Sequence, residues 1–204
     1  MSVNNLWEPE HALFAEGFSV VCGVDEAGRG PLAGPVCAAA VILPPDLEIP
    51  GLNDSKQVAD KKRRELFELI TERAVSCGIA FADQNEIDEI NILQATFLAM
   101  RRAVEQLKTA PDLVLVDGNR EPALPYPVRT LVRGDCLSAS IAAASILAKV
   151  TRDRYMEKMA EEYPQYGFEI HKGYGTKRHY EALRAYGPCP LHRRTFLKKL
   201  YGAP

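Results

Sequence analysis

The feature that most constrains the fold of this chain is the alternation of short apolar runs with segments of helical periodicity. The runs have strand length and are bounded by glycine, proline or polar residues; they occupy residues 20–25, 36–43, 78–82, 112–117 and 128–132. Strands that alternate with helices favour an α/β fold. We therefore expect a mixed, partly parallel sheet of about five strands flanked by helices.

Three segments between and after these runs carry helical patterns. The first has an apolar face made of Leu66, Leu69, Ile70 and Ala74. Asn85 is the expected N-cap of the second, in which apolar residues recur at helical spacing. The third covers residues 138–163 and begins SASIAAASILAK. Its small side chains predict a helix that lies close against the sheet.

Length and composition place the chain among ordinary globular proteins. Its 204 residues, 47% hydrophobic and 25% charged, suit one domain with a small appendage. We divide it into an N-terminal extension of residues 1–17, a main domain of residues 18–163 and a basic, helical C-terminal lobe of residues 164–204. There is no membrane-length apolar run and no N-terminal secretion signal, and the five cysteines are odd in number and dispersed. We therefore expect a cytoplasmic protein with unpaired cysteines.

The small net charge of -2 hides an uneven distribution. Residues 1–117 hold 10 basic and 19 acidic side chains, whereas residues 118–204 hold 15 basic and 8 acidic ones. A basic face beside an acidic one suits a polyanion held near a metal-binding carboxylate cluster. An unevenly charged solvated surface explains the same counts, so charge alone leaves both readings open.

Four acidic residues follow apolar runs or turns next to glycine, where a sheet edge is expected: Asp25, Glu26, Asp117 and Asp135. A single aspartate at a strand end is commonly a cap or turn former. Four such acids in one small chain instead suggest oxygen ligands for hard divalent cations. A site of this kind holds two ions against one phosphate in phosphodiester hydrolysis.

The adjacency of Asp25 and Glu26 raises a geometric difficulty. Successive side chains of a regular strand point to opposite faces of the sheet, so both cannot reach one metal site from ideal geometry. We expect the strand to end or bend at Glu26, with Gly28 and Gly30 giving the turn its freedom. The alternative is that Glu26 reaches the site by a curled side chain or a backbone contact.

The sequence Gly28-Arg29-Gly30 is a second candidate element. Two glycines around an arginine let backbone N–H groups approach a polyanion, and the arginine adds a bidentate phosphate contact. The pattern is also common in ordinary turns. It gains weight from the acids just before it.

Six motifs in order make the chain resemble bacterial ribonuclease HII from about residue 18 to about residue 196. They are DEAGRGPLAGPV at 25–36, NDSK at 53–56, VDGN at 116–119, GD at 134–135, AAASILAKVTRD at 142–153 and HKGYGT at 171–176. The resemblance implies a ribonuclease H-like fold. It also implies that Asp25, Glu26, Asp117 and Asp135 form a four-carboxylate catalytic and metal site, with two Mg²⁺ or Mn²⁺ ions when substrate is bound.

The resemblance also implies a substrate. It indicates an endonuclease that cuts the RNA strand of RNA–DNA hybrids, and cuts 5′ to a single ribonucleotide embedded in duplex DNA, leaving 3′-hydroxyl and 5′-phosphate ends. Gly28, Arg29 and Gly30 would contact the ribonucleotide and its 2′-hydroxyl, and Tyr174 would stack on the sugar at the RNA-to-DNA junction. Because only the 2′-hydroxyl marks a ribonucleotide, a backbone contact at that sugar suffices without base reading.

Several further residues receive provisional roles. Candidate phosphate contacts are Lys56, Lys149, Lys172, Arg178, Arg193 and Arg194, with nucleic-acid contact also considered for His171. For Ser138, Ser140 and Ser145 we favour helix packing over phosphate binding. Asp153 is expected to be structural, paired with Arg152 or Arg154.

Alternatives from other classes stay open at this point. A module that holds hybrid duplexes without cutting them would need none of the four acids, and a junction resolvase would not need the Gly-Arg-Gly and Tyr174 combination. The short stretch before residue 18 leaves no room for the extra domain of ribonuclease HIII. The C-terminus resembles no sliding-clamp peptide, and we expect a monomer.

Overall fold

The computed structural model describes residues 5–53, 55 and 58–201. Within these residues, five strands form one sheet in the order β3-β2-β1-β4-β5. The strands are β1 (Val21–Ala27), β2 (Val36–Ile42), β3 (Ser76–Ala82), β4 (Leu113–Asp117) and β5 (Val128–Leu131). The main helices are α1 (Glu8–Ala15), α2 (Asp60–Arg73), α3 (Gln84–Glu105) and α4 (Ala139–Glu162). All five expected strands are present.

The sheet is mixed, as expected. β2 runs antiparallel to both β1 and β3, whereas β1, β4 and β5 run parallel to one another. Parallel strands bring their carboxyl ends to the same edge of a sheet. The ends of β1 and β4 therefore meet at one edge.

Helix α4 confirms the prediction drawn from its small residues. It is capped by Ser138, whose side chain accepts a hydrogen bond from the N–H of Ile141, and it lies against β1 and β2. The approach is so close that a Cβ on Gly23 would lie 2.2 Å from the carbonyl carbon of Ser140. Alanine and serine at the start of α4 and glycine in β1 are what permit this contact.

Helix α3 covers the opposite face of the sheet and corrects one expectation. Its N-cap is Asp83 and not Asn85, because the Asp83 side chain accepts from the N–H groups of Asn85 and Glu86. Glu86 in turn accepts from the N–H of Asp83, which completes a capping box. Both residue types suit an N-cap, and the glutamate three positions after Asp83 is the signal that distinguishes them.

The described part of the C-terminal lobe, residues 164–201, contains α5 (Phe168–His171), α6 (Lys177–Tyr186) and α7 (Lys198–Tyr201). Its apolar core includes Tyr166, Phe168 and Leu183, together with Leu32, Ala33 and Met156 from earlier in the chain. The lobe is therefore packed against the end of α4 and the segment after β1. The division into three units stays a prediction.

Helix α1 places a buried carboxylate beneath the start of α4. Glu10 accepts hydrogen bonds through one oxygen from the hydroxyls of Ser138 and Ser140, each at 2.6 Å, and from the N–H of Ser140 at 3.0 Å. The two serines therefore hold the N-terminal helix and do not face solvent.

The expectations about membrane spans and disulfides can be compared with the described residues. None of the helices there is both long and apolar enough to cross a membrane. The cysteines form no disulfide among the residues that the structure describes.

The contact between Gly23 and α4 generates a stability prediction. Gly23→Ala is expected to lower the free energy of unfolding by about 1–3 kcal/mol, because its methyl group would overlap the backbone of α4. Urea unfolding followed by circular dichroism measures the change. Gly30→Ala is the matched control, since a Cβ there meets only Tyr174 at 3.7 Å. Equal stability of the Gly23→Ala variant and the native chain would contradict the close approach.

Candidate active site

Two of the predicted acids are brought together by the pairing of β1 with β4. Val24 lies opposite Val116 in this parallel ladder, so Asp25 and Asp117 follow side by side. Asp25 also shares a strand face with Gly23, which faces α4, because side chains two positions apart point the same way. The two carboxylates therefore lie under α4 at the edge of the sheet.

Asp135 reaches the same point from a short 3₁₀ turn, Gly134–Cys136, just before α4. The N–H of Gly134 donates to Oδ1 of Asp117 at 2.7 Å, which ties the turn to β4. Arg133 enters the turn with a left-handed backbone (φ 59°). One oxygen each of Asp25, Asp117 and Asp135 lies within 4.8 Å of the others. The structure thus brings together three of the four predicted acids as one cluster.

The electrostatics of this cluster favour a cation. Burial raises the pKa of the Asp25 carboxyl well above its ordinary value, and the charges of Glu26 and Asp117 raise it further. The N–H of Glu26 and the Ser145 hydroxyl hydrogen-bond Asp25 and oppose that rise. Carboxylate oxygens this close are a donor set that suits hard divalent cations, whose charge would offset the repulsion. The residues therefore fit a metal of the Mg²⁺ or Mn²⁺ type.

Glu26 lies next to this cluster but not within the group of three. The expectation that β1 ends at Glu26 is wrong, because the ladder with β2 continues through the pairs Glu26–Ala38 and Ala27–Cys37. The turn follows at Gly28, which has a φ of +98°. Arg29 Nη1 lies 3.4 Å from Glu26 Oε1. Participation of Glu26 in metal binding stays a prediction.

The Gly-Arg-Gly turn, residues 28–30, is held from below by a buried arginine. Arg193 donates from Nη2 to the carbonyl of Gly28 at 2.6 Å and from Nη1 to the carbonyl of Arg29 at 2.9 Å. Gly28 has no space for a side chain, since a Cβ there would lie 1.9 Å from Arg152 Nε. The Arg29 side chain itself is half exposed. The turn thus presents Arg29 outward from a main chain that is fixed by hydrogen bonds.

Arg152 holds the neighbouring segments in the same way. Its guanidinium donates to the carbonyls of Pro35 at 2.9 Å, Lys172 at 3.0 Å and Ala33 at 3.1 Å. Burial lowers the pKa of Arg193 to about 9, and the nearby charge of Arg152 contributes. A phosphate contact by Arg193 is therefore a wrong expectation, because its side chain is fully buried. Every residue has a main-chain carbonyl, so the sequence contains no pattern that predicts which carbonyls Arg193 binds.

Asp153 is buried and paired, but its partner differs from the expected ones. It pairs with Lys149, one turn earlier on α4, at 2.7 Å. Arg152 is committed to backbone carbonyls, and Arg154 pairs with Glu68 at 2.9 Å. The (i, i+4) spacing of Lys149 and Asp153 on a helix was the available signal.

The remaining predicted basic contacts lie in different settings. Lys149 is paired with Asp153, and burial lowers the pKa of its ammonium group. Lys172 is paired with Glu157 at 3.0 Å, with 16% of its side chain exposed. Arg178 lies 3.9 Å from Glu169, and Arg194 is exposed. Lys56 lies outside the described residues. Phosphate binding by these side chains stays a prediction.

Tyr174, the residue predicted to stack on a ribose, is exposed beside the Gly-Arg-Gly turn. It is 44% exposed and lies next to Gly30, since a Cβ on that glycine would be 3.7 Å from Tyr174 Cε1. The Arg152 guanidinium is 6.0 Å from the centre of its ring. His171, which was considered for nucleic-acid contact, is buried and bonds main-chain groups within the lobe.

Comparison with known proteins supports the family resemblance that the sequence motifs indicated. The family model described as Ribonuclease HII matches residues 22–200. A protein named Ribonuclease HII from Endomicrobium trichonymphae is 58% identical over 194 residues, which cover 95% of this chain and 92% of that protein. One of the same name from Caldicellulosiruptor bescii is 54% identical over 196 residues, covering 96% and 95%.

A solved structure extends the likeness to the fold. The crystal structure of the ribonuclease H2 from Pyrococcus horikoshii OT3 is similar with a TM-score of 0.72 and 30% sequence identity, covering 87% of this chain and 93% of that chain. The mixed five-stranded sheet with flanking helices is thus the ribonuclease H-like fold that the motifs implied. Because the family model spans nearly the whole chain, this chain belongs to the ribonuclease HII family, whose members are endonucleases that hydrolyse the RNA of RNA–DNA hybrids.

Proposed function

We propose that this endonuclease depends on Mg²⁺ or Mn²⁺ and cuts 5′ to single ribonucleotides embedded in duplex DNA, as well as along longer RNA–DNA hybrids. The products are 3′-hydroxyl and 5′-phosphate ends. The observation that carries the proposal is the convergence of Asp25, Asp117 and Asp135 from three remote segments next to the Gly-Arg-Gly turn. Cleavage at this position would serve the excision of single ribonucleotides from DNA.

The acidic cluster would hold the metal. Asp25, Asp117 and Asp135 supply the oxygen ligands, with Glu26 as the fourth carboxylate and two ions bound when substrate is present. Divalent cations at such a site supply positive charge against the scissile phosphate and lower the pKa of a water nucleophile. The contribution of the chain is to hold these carboxylates at a fixed spacing, through the β1–β4 ladder and the Gly134–Asp117 hydrogen bond.

Recognition would be of one sugar and not of a base sequence. Arg29 and Gly30 are the exposed residues of the Gly-Arg-Gly turn, whereas Gly28 is buried, and Tyr174 is exposed beside Gly30. An aromatic ring against a ribose and a backbone contact at its 2′-hydroxyl distinguish a ribonucleotide from a deoxyribonucleotide. Residues 18–163 would thus cut the strand, while the basic lobe of residues 164–204 would bind the duplex. The affinity of this lobe for the duplex would fall as the salt concentration rises.

The two alternatives are less well supported. A binding module without nuclease activity has no use for a carboxylate cluster in which burial and neighbouring negative charges raise the pKa of Asp25. Another two-metal nuclease would not require Tyr174 beside Gly30. We further propose that the chain acts as a monomer in the cytoplasm.

Metal binding is testable without substrate. Mg²⁺ or Mn²⁺ at 100 times its Kd is expected to stabilise the native chain by about 2.7 kcal/mol, because the cation binds only the folded cluster. Thermal unfolding with chelator and then with metal measures this, at constant ionic strength. The shift is expected to vanish in the Asp25→Asn/Asp117→Asn double variant. An undiminished shift in that variant would place the cation elsewhere.

The catalytic role of the carboxylates is tested by single substitutions. Asp25→Asn or Asp117→Asn is expected to abolish cleavage of a duplex with one ribonucleotide while the affinity for the duplex persists, since neither residue belongs to the basic lobe. Gel-resolved cleavage and fluorescence anisotropy measure the two quantities. Asp112→Asn, near the opposite end of β4, is the matched control. Native turnover in either active-site variant would contradict the assignment.

The stacking role of Tyr174 predicts a loss that depends on the substrate. Tyr174→Ala is expected to reduce kcat/KM at a lone ribonucleotide by about tenfold or more, as expected when a stacking contact is removed. Tyr174→Phe keeps the ring and should retain most activity. Tyr186→Ala, an exposed tyrosine of the same lobe, is the control. Unchanged cleavage by the alanine variant at this substrate would exclude the stacking contact.

A further inference from the structure

Two histidines of the C-terminal lobe face each other beneath the loop that carries Tyr174. His179 belongs to α6, and His192 lies just before the 3₁₀ helix Arg194–Leu197. Their Nε2 atoms are 3.0 Å apart, and both residues are buried. A hydrogen bond between two imidazoles requires that one nitrogen carries the proton and the other does not.

The protonation of each ring nitrogen follows from its partners. His179 Nδ1 lies 2.9 Å from the carbonyl oxygen of Tyr174, which can only accept, so Nδ1 carries the proton. In a neutral ring, His179 Nε2 is then an acceptor, and His192 Nε2 must donate to it. His192 Nδ1 is left as an acceptor, which matches the N–H of Cys189 at 3.0 Å. The carbonyl of Cys189 also lies 3.3 Å from His192 Nδ1 but receives no hydrogen bond in this arrangement, which follows from the proton on His179 Nδ1.

A third histidine, His171, binds the same loop. His171 Nε2 lies 2.8 Å from the carbonyl of Tyr166, and its Nδ1 accepts from the N–H of Gly173 at 3.2 Å. The His171 ring stacks on His179, with ring centres 4.5 Å apart. Histidine side chains therefore bind both the N–H of Gly173 and the carbonyl of Tyr174.

The surroundings keep this network uncharged. Burial lowers the pKa of His179 and of His192 to about 4, and the facing histidines lower it further. The other titratable groups around the pair are Tyr166, whose ring lies 5.0 Å from that of His192, and Cys189. Burial raises the pKa of the Cys189 thiol, so it stays protonated. Near neutral pH the rings keep the single arrangement described above.

We infer that His179 and His192 are positioning residues for Tyr174, holding its carbonyl so that its exposed ring stays against Gly30. The inference rests on the proposed contact of Tyr174 with the ribose. It adds a requirement for two buried imidazoles of defined tautomer, which touch neither substrate nor metal. The carbonyl of Tyr174 also accepts from the N–H of Thr176 at 2.8 Å, and the N–H of Tyr174 donates to the carbonyl of His171 at 2.9 Å. His179 adds a side-chain donor to these main-chain hydrogen bonds, and together they hold the backbone from which the ring projects.

Conservative substitutions separate positioning from bulk packing. In His179→Asn the amide NH₂ occupies the place of Nδ1–H and can still donate to Tyr174, whereas His179→Leu fills similar space without a donor. The leucine variant is expected to lose about three- to tenfold in kcat/KM at a lone ribonucleotide, the effect of one lost hydrogen bond. The asparagine variant should recover most of that loss. Equal loss in both variants would overturn the inference.

A double-mutant cycle shows whether the effect passes through Tyr174. Adding His179→Leu to Tyr174→Ala is expected to cost nothing further, because there is no ring left to position. A loss of kcat/KM in the double variant equal to the product of the two single losses would overturn the inference. If Tyr174→Ala alone leaves cleavage intact, the ribose contact fails instead, so the two failures are distinguishable.

A spectroscopic measurement on the native chain needs no activity and no variant. Nitrogen-15 NMR of labelled histidine should show His179 protonated at Nδ1 and His192 at Nε2, with neither ring titrating between pH 6 and 8. The opposite tautomers, or a charged ring in that range, would overturn the inference. This result stays decisive even if the leucine variant does not fold.

Discussion

The parallel pairing of β1 with β4 is the constraint on which the rest of the structure depends. It sets Asp25 beside Asp117 at one sheet edge, under a helix that can come close because Gly23 has no side chain. Burial raises the pKa of Asp25, and the neighbouring charges of Glu26 and Asp117 raise it further. Burying carboxylates without a cation is costly, so this strand pairing makes the edge of the sheet a place for divalent metal.

The turn and loop to which we assign ribose recognition are held by different interactions. Arg152 and Arg193 donate to backbone carbonyls of the Gly-Arg-Gly turn and its neighbours, and neutral histidines hold the loop of Tyr174. Buried donors without their acceptors would destabilise the fold, so these segments have little freedom to move. A rigid turn and a rigid loop are what discrimination of a single hydroxyl group requires, because a loose contact would accept either sugar.

The predictions from sequence succeeded where a local pattern has one structural meaning. The apolar runs became strands, the Ala- and Ser-rich segment became α4, and the motifs identified the family. Three of the four acids expected to converge do so. They failed where two local readings compete. Asp83 rather than Asn85 caps α3, and Asp153 pairs with Lys149 rather than with an adjacent arginine, because helical geometry decides which neighbours meet.

The sequence by itself determined the order of the five strands and of helices α2, α3 and α4, the candidate carboxylates and the family, since all of these depend on residue type and spacing along the chain. Only the tertiary structure decided that β1 continues past Glu26, that Arg193 is buried under the Gly-Arg-Gly turn, and that His179 meets His192. These contacts join residues distant in sequence, or main-chain groups that every residue has. They arise only when the whole chain has packed.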